Sequence, residues 1–277
     1  MKWDFMTKAT RMTGTAVSKV TRRKQYAAPA LEKGLDILEL LAIEPEPLNL
    51  KEIADGVGRS VGEIFRMLAV LEQRGYVGIG EGSERYQLTM KLFRLAHWHL
   101  PINRLTSAAS APMRRLAMQT GQSCHLSIMS GSRTFVVARQ DSYKDRSFVL
   151  RMGAESPLLS SCSGLIFFTL ADSVTRETLL EGIREEEVGT VEVVETDDIA
   201  RSLNEQSYIE LPSQQVDGII DIGTPITDHD GSMAAALVIP FLHRIDKDNE
   251  SELGAVRKCL VQAAIEISSA LGYQSLE

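Results

Sequence analysis

The chain has 277 residues, 44% of them hydrophobic and 24% charged, with a formal net charge of -7. That balance is the one expected of a soluble globular protein of about two domains, and no internal repeat or low-complexity segment departs from it. No run approaches the roughly 18 uninterrupted apolar residues of a spanning helix, so no membrane is implied.

The first thirty residues are polar and basic with no apolar h-region, which predicts a cytoplasmic rather than a secreted chain. Cys124, Cys162 and Cys259 are odd in number and widely spaced, which argues against a disulfide framework and for reduced thiols. The charge is unevenly distributed. Residues 1–100 have a net charge of +3 and residues 101–277 one of -10; within the first hundred, residues 1–24 carry +6 and residues 25–100 carry -3. The basic charge therefore sits in a tail ending at Lys19, Arg22, Arg23 and Lys24. With no helical or strand period, residues 1–27 are read as a disordered arm. Two accounts of it stay open: an arm that neutralises phosphates, or an overlong start ahead of Met6 or Met12.

The first helix is expected from Ala30 to about Ile43, with Leu31, Leu35, Leu38, Leu41 and Ala42 on one face, stopped by the prolines of "EPEP" at 44–47. A second follows in "NLKEIADGVG", where Asn49 and Glu52 have the capping-box spacing and Leu50, Ile53, Ala54 and Val57 form a short apolar stripe. In "GRSVGEIFRMLAVLEQRGYV", Ser60 and Glu63 repeat that spacing. Val61, Ile64, Phe65, Leu68 and Leu71 then form a core stripe, and Gly75 ends the helix. Three short helices with a glycine turn before the last give the order of a helix-turn-helix. "YVGI" and "RYQL" around "GEGSE" read as a hairpin, or wing. A helix from Thr89 ending at Pro101, and another from Pro112 to Thr120, would link the halves.

Beyond Gly121, "SCHLSIMSG", "RTFVVARQ" and "SFVLRMG" read as short strands. The Ser-rich "SPLLSSCSG" opens an apolar helix at Leu165–Ala171, and an exposed charged helix spans Thr175–Glu187. "DDIARSLNEQSY" is a further helix. Strands follow in "DGIIDIGTPI" and "SMAAALVIPF", and a helix from about Asn249 to Leu271 closes the chain. The expected class is α+β, with a mainly antiparallel sheet.

A recognition helix lies in the DNA major groove with its N-terminal residues at base edges. Ser60 offers a hydroxyl, Gly62 permits close approach, Arg66 can grip guanine or phosphate, and Arg59 precedes the helix where backbone is within reach. Arg85 of the wing is placed to meet the minor groove or backbone. Glu63 is repulsive toward phosphate unless it accepts from cytosine or only caps the helix, and the cap is the favoured reading. The alternative is that this face is only the solvated side of a small bundle, or of a winged helix that binds protein.

At this point the sequence resembles the IclR-type bacterial transcriptional regulators, over about Ala28 to Gly272. The resemblance is carried by "ALEKGLDILELLA", "EIFRMLAVLEQRGYV", "RYQLTMKLFRLA", "SPLLSSCSG" and "DGIIDIGTPITDHDGSMAAALVIP", in that order and spacing. It implies a winged helix-turn-helix DNA-binding domain at 28–90, linker helices at 91–120 and a GAF-like effector-binding domain at 121–277. It also implies a dimer or tetramer on a palindromic double-stranded DNA operator. The recognition helix then spans Ser60 to Arg74, with Arg66 at the characteristic arginine. The Lys-Ser-Thr usual in many members is here Val61, Gly62 and Glu63, so their base contacts do not transfer.

The resemblance places the effector pocket at Cys162 and Ser163, then Leu211, Asp221, Val238 and Pro240. The residues suit an anion: Ser161 to Gly164 lead into a helix whose free N–H groups and dipole favour a carboxylate. A lysine usual after that glycine is Leu165 here, and Asp221 brings negative charge, which points from a simple dicarboxylate toward a hydroxylated or sugar acid. Other chemistry finds little support. Cys124 and His125 adjoin on a strand and point to opposite faces, so they cannot simply share a metal; either could pair with Cys162 or Asp221 across the sheet, but no CxxC, HxxxH or HExxH spacing supports that. His97 and His99 read as helix-surface residues. "SSCSG" lacks the Gly-x-Ser-x-Gly pattern, and no Gly-rich phosphate loop is present, so no enzyme and no cofactor is expected. The competing functional class is a protein-interaction or thiol-based redox module that does not read DNA.

Overall fold

The computed structural model describes residues 28–80, 82–97, 100–145, 147–183, 196–243 and 249–274. The basic arm, His99 and the end of the charged helix expected to reach Glu187 lie outside the described residues. The chain divides between His99 and Leu100 into two compact units.

The first unit opens with α1 (Pro29–Ile43), α2 (Leu50–Gly56) and α3 (Val61–Gln73). Asn49 caps α2 reciprocally with Glu52: the Glu52 amide donates to Asn49 Oδ1 at 2.9 Å and the Asn49 amide to Glu52 Oε2 at 2.8 Å. Arg59 N closes the turn on Ala54 O at 2.9 Å, and Gly58 takes the left-handed φ of 64° that this reversal requires. Ile37, Leu41, Ile53, Ala54, Ile64, Leu68 and Val77 fill one small core. Strands β1 (Val77–Ile79) and β2 (Tyr86–Leu88) pair antiparallel as the wing, and α4 (Lys91–His97) follows.

Two expectations for this unit, and one for the helix that follows it in the chain, need correction. Leu31 and Leu35 of α1 are exposed, because the helix packs through Ile37 and Leu41 with Leu38 and Leu40 beside them. Val61 and Phe65 of α3 are also exposed, at 44% and 55%. The stripe that packs is Ile64, Met67, Leu68 and Leu71, spaced i, i+3, i+4, i+7 and rotated away from them. Pro101 does not end a helix: it lies in the first turn of α5 (Leu100–Thr120), where a missing N–H costs nothing, and α5 runs on through Pro112.

The second unit is an antiparallel sheet of order β5-β4-β3-β8-β7-β6 among the described residues. Its strands are β3 (Cys124–Ser130), β4 (Arg133–Gln140), β5 (Glu155–Pro157), β6 (Ile209–Pro212), β7 (Ile219–Thr227) and β8 (Met233–Leu242). One face carries α5 and α9 (Asn249–Ala270); the other carries α6 (Cys162–Leu170), α7 (Ser173–Gly182) and α8 (Thr196–Gln206). Central β8 shows how the sequence makes both layers. Ala235, Leu237, Ile239 and Phe241 pack toward α5 and α9, whereas Ala236 and Val238 pack toward α6. A strand covered on both faces reads as an unbroken apolar run.

The segment "SFVLRMG" is not a strand: residues 147–151 are irregular, and the edge strand is β5 instead. Strand β6, which the sequence reading passed over, pairs with β7 at the other edge. Helix α6 begins three residues earlier than expected, capped by Ser161, whose Oγ accepts from the Gly164 amide at 3.1 Å.

Candidate DNA-binding surface and effector pocket

The outward face of α3 is organised around Glu63. The Lys33 ammonium of α1 donates to Glu63 Oε1 at 2.6 Å, and the Ser60 hydroxyl and amide donate to Oε2 at 2.8 and 3.3 Å. The Lys33 bond, then those from Ser60, hold the Glu63 carboxyl down to about 2, so it stays ionised with its charge matched by Lys33. Glu63 is thus a cap, tied back toward its own unit. The Ser60 hydroxyl is spent on the same carboxylate.

Arg59 and Arg66 are exposed, and neither side chain bonds to any described residue. A Cβ at Gly62 would meet open space, so this glycine is not imposed by packing within the unit. Arg85 is placed differently. Its guanidinium donates to Pro47 O at 2.8 Å and to Glu52 at 2.9 and 3.3 Å, fastening the wing to the cap of α2. The expected reach of Arg85 to a duplex would have to break this clamp. Exposed Phe65 and Val61, read as core in the sequence, instead flank Gly62 and Arg66 with apolar surface.

In the second unit a cavity lies between the N-terminus of α6 and the sheet. Cys162, Ser163, Asp221, Val238 and Pro240 line it, joined by His125, Phe148, Leu150, Ser156, Ser160, Ser161, Ser213, Gln215 and Val216. Leu211 does not line it; it stands cross-strand from Asp221 and packs into the α6-side core. The cavity leaves about 40 Å³ for the centres of water-sized molecules. At about 10–15 Å³ per water, that is room for only a few waters and far too small for a peptide.

Local sequence explains the shape. Gly164 lets the turn before α6 close, since a Cβ there would collide with the Leu158 carbonyl. Gly223 leaves room for the Cys162 sulfur, 3.9 Å from Asp221 O. The Ser163 hydroxyl is bonded to Thr134 Oγ1 at 3.1 Å, fixing α6 to β4. Helix α6 therefore presents its early amides and positive dipole end to the cavity.

Opposite are groups of other character. Burial pushes the Asp221 carboxyl up to about 6 despite a hydrogen bond from Ser213. Burial pushes His125 down to about 4, so its imidazole is neutral at pH 7. The thiols are protonated: burial takes Cys124 up to about 12, and burial together with Asp221 raises Cys162 well above the ordinary thiol range. No lysine or arginine is among the described residues lining the cavity. Among the described residues no group of three or more His, Cys, Asp or Glu is placed to hold a metal ion.

A winged helix-turn-helix followed in one chain by an α+β unit with a small, partly polar cavity is the architecture of a DNA-binding regulator with a separate sensing domain. Residues 30–78 match the IclR helix-turn-helix domain, and residues 100–269 match the bacterial transcriptional regulator IclR C-terminal domain. The chain belongs to the IclR family of DNA-binding transcriptional regulators, with its effector-binding domain C-terminal. It is 27% identical over 265 residues to the HTH-type transcriptional regulator KdgR of Dickeya chrysanthemi, covering 94% of this chain and 85% of that one. To KdgR of Escherichia coli K12 it is 29% identical over 245 residues, covering 87% and 92%. Among solved structures, the Thermotoga maritima IclR superposes with a TM-score of 0.70 at 22% identity, over 88% of this chain and 98% of that one. An IclR homolog from Microbacterium hydrocarbonoxydans, complexed with 4-hydroxybenzoate, gives 0.69 at 20% identity over 87% and 98%. At these identities the structural likeness speaks to the fold.

Proposed function

We propose that this regulator binds a palindromic operator through α3 and senses a small carboxylic acid, of the hydroxylated or sugar-acid type, in the cavity beneath α6. The observation that carries the DNA contact is the pairing of Glu63 with Lys33, which leaves Arg59 and Arg66 as unopposed cations beside Gly62. Ser60 supports the helix start, with its hydroxyl on Glu63 rather than on phosphate. Arg85 serves by bracing the wing. For the effector, the dipole end of α6 favours a carboxylate and Asp221 accepts from hydroxyls. A carboxylic acid also occupies the homolog crystallised with 4-hydroxybenzoate.

Exposed apolar side chains on α1 (Leu31, Leu35), at Met90 in the turn before α4 and on α4 itself (Phe93, Leu95) support a homodimer or homotetramer. No helix among the described residues is long and apolar enough to cross a membrane, and a cytoplasmic site of action is inferred from the DNA-binding role of the family. A non-enzymatic role is consistent with relatives that are regulators. The redox alternative gains nothing from buried, protonated Cys124 and Cys162.

The test is recovery of bound fragments from sheared genomic DNA by the full-length protein. Enrichment of an inverted repeat, lost in Arg66→Ala, is the expected result. Recovery without sequence preference, unchanged by Arg66→Ala, rejects the reading.

A further inference from the structure

His125 is a buried polar group without a use inside the protein. It is 4% exposed, its Nδ1 is sealed from solvent with no hydrogen-bond partner, and its ring lines the cavity. The position follows from register. His125 pairs with Val238, which pairs with Gly223, so the three stand on the sheet face below α6, while neighbouring Cys124 packs into the opposite core. A buried polar atom left unpaired costs free energy that an apolar side chain of similar shape does not. The other such atom among the described residues, Thr169 Oγ1, lies on α6 outside the cavity lining.

Resting on the effector reading above, we propose that His125 is a ligand-contacting specificity residue: its imidazole pairs with a hydroxyl of the bound acid and selects polyhydroxylated monocarboxylates over plain carboxylic acids. A neutral imidazole offers one donor and one acceptor, the complement of a hydroxyl. Asp221 accepts from a second hydroxyl, and the start of α6 takes the carboxylate. With no described cation lining the cavity, two ligand carboxylates beside Asp221 would lack a counter-charge, so the ligand carries one. Sites built to pair with hydroxyls reject analogues lacking them, because the site's own polar groups are then stranded.

The probes are D-gluconate, with butyrate as the hydroxyl-free control, titrated calorimetrically into the full-length protein. Gluconate is expected to bind and butyrate not. Because His125 makes no hydrogen bond to the protein, His125→Leu should melt at or above the wild-type temperature while losing gluconate affinity at least tenfold, with partial recovery in His125→Asn. Unchanged gluconate affinity in a folded His125→Leu overturns the role of His125. If His125→Leu does not fold, His125→Asn and the histidine ¹⁵N shifts of the wild type decide: shifts of His125 that do not move on saturation overturn it equally. Butyrate binding as well as gluconate, or no gluconate binding, overturns the ligand class. The regulator reading fails separately, if gluconate binds through His125 but the protein does not bind DNA.

Discussion

At the scale of single residues, the groups at each site are set by what neutralises them. Asp221 is the clearest case. Its carboxyl is pushed up to about 6 by burial, so ionising it costs more in the folded chain than in the unfolded one. A raised carboxyl pKa penalises the fold above about pH 6, and the penalty disappears below the unfolded value near 4. Asp221→Asn should therefore raise stability by on the order of 2 kcal/mol at pH 7.5 and leave it unchanged near pH 4, as read from urea melts at both pH values. Glu63 has the opposite sense: with its carboxyl held at about 2 by Lys33 and Ser60, its contribution is full above pH 4.5 and is lost as pH falls toward 2. Lys33→Met removes the counter-charge and should weaken DNA binding about threefold, the scale of an exposed ion pair, with Lys33→Met/Glu63→Gln restoring it. Fluorescence anisotropy on labelled operator reads both. Equal weakening in the double variant would mean that Lys33 meets phosphate itself.

At the scale of elements, α3 and α6 each depend on a glycine for different reasons. Gly164 is required by the fold, because a Cβ would strike the Leu158 carbonyl; Gly164→Ala should cost about 2 kcal/mol or more and distort the cavity. Gly62 faces open space, so Gly62→Ala should keep or raise stability, by up to about 1 kcal/mol, while weakening DNA binding at least tenfold if close approach to the groove is what it provides. Thermal melts beside anisotropy titrations separate these outcomes. Caps, turns and apolar strands were legible in the sequence because each is local: Asn49 with Glu52, the glycines at 58 and 75, the wing, and the apolar run that becomes β8. What was not legible depends on non-local packing. Val61 and Phe65 fit a helical stripe as well as Met67 does, and only the placement of α1 and α2 decides which of them is covered. Pro101 marks a boundary without saying which side is helix. The cavity's Cys162, Ser163, Asp221, Val238 and Pro240 were expected there through resemblance and a helix N-terminus, whereas His125 was weighed only as a metal ligand and declined. A lone histidine in a strand has no spacing signal, and the β3–β8 register that brings it under α6 is absent from any local window.

At the scale of the whole molecule, the acidic total conceals a division of labour. Residues 101–277 carry most of the negative charge, and the DNA-binding unit neutralises two of its own acids near α3 and the wing by pairing Glu63 with Lys33 and Glu52 with Arg85. Ligand can change DNA affinity only through unequal binding to two arrangements of the protein, and the coupling is reciprocal. Saturating operator should therefore shift the gluconate dissociation constant by the same factor by which gluconate shifts the operator's. The central claim, that α3 meets a duplex through Arg59 and Arg66, is tested most directly by the salt dependence of operator affinity. Wild-type protein should lose affinity steeply between 50 and 200 mM salt, and Arg59→Ala/Arg66→Ala should flatten the log–log slope by about 0.9 for each phosphate contact removed. A wild-type affinity indifferent to salt, or a slope unchanged by removing both arginines, would contradict it.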